Sequence, residues 1–198
     1  MLRNTAPRLE MVKVCVFALL AAGWSSAAAE NLPVTQAETL AGEKLEFPTA
    51  LAGKPAVCVF GFSREAGDRT KVWMTRLSQD GVNSWSVANL EAAPALVRGM
   101  IRGSMRKGTP QPLLERSLIM TKDGKAWKHA VGAKHDNLPV VVLFDAAGRL
   151  LWTYEGLFGD EPYRELKSKL QAATARQAAE GDLVERIARE VQPLKQAS

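Results

Sequence analysis

The side chains of this 198-residue chain that could serve as nucleophiles, bases or ligands are few: Cys15, Cys58, His129 and His135, with Ser63 at the end of an apolar run. A thiol acts in redox or peroxidase chemistry only when it is exposed and its anion is stabilised, for example at a helix N-terminus. Cys58 lies between Val57 and Val59 inside a continuous apolar stretch, so it reads as a small buried hydrophobe with an ordinary or raised pKa. Where that stretch should pass into a helix stands Phe62-Ser63-Arg64-Glu65-Ala66-Gly67-Asp68, without a cysteine. A serine hydroxyl ionises too weakly to replace a thiolate unless a general base reaches it, and local sequence ties neither histidine to Ser63. The expected role of Ser63 is to cap the following helix or close a turn. His129, His135 and Asp136 match no standard metal-ligand spacing, and no cysteine accompanies them. The residues therefore imply no catalytic group, cofactor or metal ion. The alternative is a thiol oxidoreductase or peroxidase that uses Cys58.

A noncatalytic signal lies between Pro94 and Lys107. Arg98, Arg102 and Arg106 recur at every fourth position, which predicts a row of guanidinium groups along one side of a helix. Val97, Ile101 and Met105 form an adjacent apolar stripe, and Ala95, Gly99 and Gly103 a stripe of small residues. Such a helix could dock an acidic protein partner or an anionic membrane surface; the plainer reading is a solvated charged face above a core-facing stripe.

Residues 1–29 combine Arg3, Arg8 and Lys13 with an apolar run from Val14 to Ala22 and small residues up to Ala29. This is the pattern of an export signal, and the apolar run is too short to span a bilayer. Its removal lowers the formal charge from +5 to about +3, a mild basicity that calls for no nucleic-acid partner. It also removes Cys15, so the processed chain could form no internal disulfide even in an extracytoplasmic, periplasm-like compartment. What remains suits one domain over 30–170 and a helical extension over 171–198.

The elements that would position these residues follow from the hydrophobic pattern. Glu38 to Phe47, around Gly42, suggests a short hairpin. Ala56 to Phe62 predicts a central strand buried on both faces, and Ala66 to Gln79 a helix stopped by Asp80-Gly81. Trp85 to Leu90 predicts a strand, Pro94 to Lys107 a helix, Arg116 to Thr121 a short strand and Ala126 to Val131 a short helix after the Asp123-Gly124 turn. Val140 to Phe144 and Arg149 to Tyr154 flank Asp145-Ala146-Ala147-Gly148 as a hairpin, and a last helix starts near Glu161-Pro162. In the extension, Leu183, Ile187, Val191 and Leu194 fall at helical spacing.

This order, together with Leu51-Ala52-Gly53-Lys54-Pro55-Ala56-Val57-Cys58-Val59-Phe60 and Asn137-Leu138-Pro139-Val140-Val141-Val142-Leu143-Phe144-Asp145, resembles the thioredoxin superfamily. The resemblance implies an α/β, thioredoxin-like three-layer fold: a central mixed sheet flanked by helices, with a C-terminal helical extension. It also implies a cis proline at Pro139, beside a surface that receives extended peptides in redox members. Phe62-Ser63, Gly108-Thr109-Pro110 and Asp145-Ala146-Ala147-Gly148-Arg149-Leu150-Leu151-Trp152 are in addition similar to landmarks of the mitochondrial ATP synthase assembly-factor family, whose members lack the cysteine pair. Together these readings lead to the expectation of an exported, redox-inactive binding or assembly protein that docks a partner protein.

Overall fold

Alternation along the central strand organises the molecule. In β3 (Ala56–Gly61), Ala56, Cys58 and Phe60 enter one apolar cluster while Val57 and Val59 enter another, and all are fully buried. A strand covered on both faces needs no polar alternation, which accounts for its continuous apolar sequence. The computed structural model describes residues 32–195; the expected signal segment over 1–29, with Cys15, lies outside the described residues.

Seven strands form one mixed sheet in the order β2-β1-β5-β4-β3-β6-β7. β1 (Thr35–Thr39) and β2 (Lys44–Phe47) are the leading hairpin at one edge. β3, β4 (Ser84–Asn89) and β5 (Ser117–Met120) run parallel. β6 (Val140–Phe144) lies antiparallel to β3 and turns back into β7 (Leu150–Glu155). The hairpin turn is held by the Asp145 carboxylate, which accepts from the backbone of Ala147 and Arg149 at 2.9 and 2.8 Å, while Gly148 supplies a positive φ of 78°.

On one face, α1 (Arg64–Gln79) and α4 (Asp160–Lys195) pack Trp73, Met74, Leu77, Tyr163 and Leu166 over Val57, Val59, Val141 and Leu143. On the other, α3 (Gly124–Ala130) brings Trp127 against Phe47 and Phe60, in a cluster that also holds Phe144. The indole N–H of Trp127 donates to Thr35 Oγ1 at 3.0 Å, and that hydroxyl donates to Asp123 at 2.9 Å. Gly124, at the start of α3, has no room for a side chain: a Cβ there would lie 2.0 Å from Asn89 Nδ2. α2 (Ala95–Gly108) crosses between β4 and β5, above a small third cluster of Leu40, Leu114 and Ile119 to which it contributes Met105.

One expectation is corrected. The Leu138–Pro139 bond is trans; among the described residues the cis peptide is Phe47–Pro48. A trans bond is the lower-energy form before proline, and Pro139 enters β6 with its carbonyl accepting from Gly156 N–H at 3.0 Å. α4 runs on without a break past residue 171, where the helical extension is expected to begin.

Candidate functional site

The place where this fold would present chemistry is the passage from β3 into α1. Gly61 lies so close to the first turn of α1 that a Cβ on it would sit 2.8 Å from Gly67 Cα. Ser63 is the N-cap: its hydroxyl accepts from Ala66 N–H at 3.1 Å, and its carbonyl accepts from Gly67 N–H at 2.9 Å. The hydroxyl is thus engaged as the sequence predicts. Arg69 donates to the Asn137 carbonyl at 2.8 Å and meets Glu65 at 2.6 Å, tying α1 to the loop before Pro139. From the other side of that loop, Glu155 accepts from the backbone N–H groups of Lys134 and His135 at 2.8 and 2.7 Å, and its second oxygen lies 3.1 Å from His135 Nδ1. Burial alone would raise the Glu155 carboxyl, but these hydrogen bonds outweigh it and hold the group below its ordinary range.

Cys58 is fully buried in the middle of the sheet, opposite Val142 on one side and Trp85 on the other. Burial pushes its thiol well above the usual value, the reverse of what an attacking thiolate needs. His135 is engaged with Glu155, and among the described residues no three His, Cys, Asp or Glu side chains gather in a way that could hold a metal ion.

The arginine row of α2 is not a single solvated face. Arg98 donates to the Ala93 and Glu91 carbonyls at 2.8 and 3.0 Å, and Arg102 pairs with Glu38 of β1 at 2.7 Å. Arg106 is exposed. The cause is helical geometry: a four-residue step overshoots one turn by about 40°, so the row rotates from the protein body at Arg98 to solvent at Arg106. The side that faces outward instead carries Leu96, 98% exposed, and Met100, 72% exposed, with Gly99, Gly103 and Lys107. No side chain of α2 is buried. The signal that could have revealed this face is the Leu96/Met100 pair, one turn apart and about 120° around the helix from the centre of the Val97, Ile101, Met105 stripe. Arg69 could be recognised only as the partner of Glu65, because its contact with Asn137 crosses 68 positions of sequence.

No protein-family model matches the sequence, and no curated protein is detectably similar to it. Similarity to solved structures lies in the fold and not in the sequence. BsSco, a member of the Sco family of cytochrome c oxidase assembly proteins, superposes with a TM-score of 0.52 at 10% identity, covering 73% of this chain and 93% of that one. A putative electron transport protein from Aquifex aeolicus VF5 gives 0.52 at 13% identity, covering 73% of this chain and 96% of the other. The exposed lipoprotein thioredoxin Etrx1 from Streptococcus pneumoniae gives 0.50 at 13% identity, with 71% and 99% covered. At these identities the likeness concerns architecture, and with the seven-stranded mixed sheet between helices it shows that the chain has a thioredoxin-like fold.

Proposed function

We propose that this chain is an exported thioredoxin-fold binding or assembly protein that works without thiol chemistry and docks a partner protein through the outer side of α2. The observation that carries the reading is the contrast between a sealed thiol and an open helix. Cys58 is inside the sheet, whereas α2 exposes Leu96 and Met100 with no covering element among the described residues. In this reading Arg98 and Arg102 brace the helix against the body, and Arg106 and Lys107 give the docking surface its basic edge. An acidic protein surface with an apolar centre fits that face. An anionic membrane surface is a poorer match, because the outward face includes Gly99 and Gly103 and only two large apolar side chains.

The test has two arms. Thiol probe and peroxide are applied to the folded, processed protein and to the unfolded chain; protection of Cys58 in the folded state supports the reading, while fast reaction with a depressed thiol pKa would restore the oxidoreductase alternative. In the second arm, Leu96→Asp/Met100→Asp should abolish crosslinking to an envelope partner that the unsubstituted protein captures. Undiminished capture by the double variant would remove α2 as the docking surface. Detection of the chain in the extracytoplasmic fraction, with a new N-terminus near residue 30, checks export.

A further inference from the structure

The crossover helix between β4 and β5 is joined to the body at few points. No side chain of α2 is buried, and neither of its ends carries a side-chain cap. Of its apolar stripe, Met105 rests on the buried cluster of Leu40, Leu114 and Ile119. Arg98 bonds to the Glu91 and Ala93 carbonyls, which belong to the segment leading into the helix, and Thr109 Oγ1 donates to the Met105 carbonyl in its last turn. Among the described residues, the pair that Arg102 makes with Glu38 at 2.7 Å is therefore the only side-chain hydrogen bond or ion pair from α2 to another element of the fold. That pair is incompletely satisfied, because the Arg102 Nε–H is buried without a partner among the described residues. Lifting the helix returns this donor to water, which offsets part of the loss of the pair. The backbone at both ends is already extended, with ψ of 140° at Pro94, 129° at Thr109 and 142° at Pro110. Hinge residues thus lie just outside the helix on either side.

We infer that α2 is a detachable strap: residues 94–110 lift from the sheet as one unit while the seven strands, α1 and α4 stay folded, and the ion pair of Arg102 with Glu38 is the latch that sets how often this happens. A helix of 14 residues that includes Gly99 and Gly103 is marginal in water by itself, so lifting and unwinding are a single event. The rest of the domain keeps its cores, because the two larger apolar clusters contain no residue of α2. α1 is no such unit: it places Trp73, Met74 and Leu77 in the second cluster, and its release would take that core apart. Opening of the strap bares Leu40, Leu114 and Ile119 beside the freed Glu38 carboxylate. It also releases the half-buried Val97, Ile101 and Met105. The molecule thereby holds an apolar surface that it shows only in the open state.

Native-state hydrogen exchange of the folded, processed protein tests this. The amides of residues 99–108 should exchange together, through an opening at least about a hundredfold more frequent than that of β3 and less dependent on urea, because it exposes less surface. Trp73→Ala separates local from global opening. It weakens the closed and strap-open forms alike, so it should raise β3 exchange on the order of a hundredfold or more and leave residues 99–108 within about twofold. Should that variant not fold, the urea dependence of the unsubstituted protein makes the same distinction. Glu38→Gln and Arg102→Gln should each raise strap opening roughly 3- to 10-fold, and the double variant no more than the stronger single one. Salt at about 1 M should speed strap opening in the unsubstituted protein and leave the double variant unchanged. Residues 99–108 that open only as β3 does, or that follow β3 in Trp73→Ala, would overturn the strap. So would exchange at the rate of the unfolded chain, which would mean that no closed state is held. Single variants without effect, or whose effects multiply in the double, would overturn the latch.

Discussion

α1 and α2 are both amphipathic crossover helices between parallel strands, with 16 and 14 residues, yet they are held in opposite ways. α1 buries Ala66, Thr70, Trp73, Met74 and Leu77, is capped by Ser63, and is fastened through Arg69 to the loop before β6. α2 has no buried side chain and no side-chain cap, and its firmest ties are two arginines to backbone carbonyls and to Glu38. The sheet beneath the two helices explains the difference. Under α1 it offers Val57, Val59, Val141 and Leu143, whereas α2 meets only the small cluster of Leu40, Leu114 and Ile119, through Met105. An apolar stripe on a helix becomes core only where the strand below supplies an apolar partner, and α2 leaves Leu96 and Met100 outside.

The contrast breaks first at Trp73. Trp73→Ala should cost about 3–5 kcal/mol in denaturant unfolding, because it empties a site packed by Tyr154, Phe158 and Tyr163 and removes the indole donor to the Gly156 carbonyl. A loss below about 1 kcal/mol would mean that α1 is no better anchored than α2. Ser63→Ala should cost about 1 kcal/mol through the lost cap, with Ser63→Asp restoring most of it. A smaller effect belongs to the loop that α1 grips. The Glu155 carboxyl is held low in the folded state, so its contribution is complete above the ordinary carboxylate range and lost as pH falls through the folded value. The stability advantage of the unsubstituted protein over Glu155→Gln should therefore shrink between about pH 5 and pH 3, read from Tm against pH; a constant difference would remove the linkage. Smallest of all, Leu96→Asp should change stability by no more than about 0.5 kcal/mol, and a larger loss would show that α2 is packed after all.

Much of this architecture was legible in the sequence because its central strands are buried on both faces. Val140–Phe144 coincides with the strand read from its apolar run, and the Gly61 end of β3 lies one residue from its expected limit. The helix starts at Ser63 and Pro94 were signalled by cap and proline chemistry. The absence of a cysteine at the α1 N-terminus, and the sealed position of Cys58, were equally readable. What was hidden depended on three-dimensional partners. The arginine spacing specified a helix but not which way its row would turn, since that depended on Glu38 and two carbonyls brought close by folding. The trans state of Leu138–Pro139 was equally illegible, because the motif around Pro139 resembles one associated with the other isomer.

The burial of Cys58 also makes it a clock. A reagent reaches that sulfur only after β3 separates from its neighbours β4 and β6, so each modified molecule records one opening of the central sheet. When reclosing outpaces labelling, the labelling rate divided by that of the unfolded chain is the equilibrium fraction open; when labelling is faster, the same trace gives the opening rate. One native atom can thus report, without added dye or engineered probe, how often this fold comes apart and how quickly it heals.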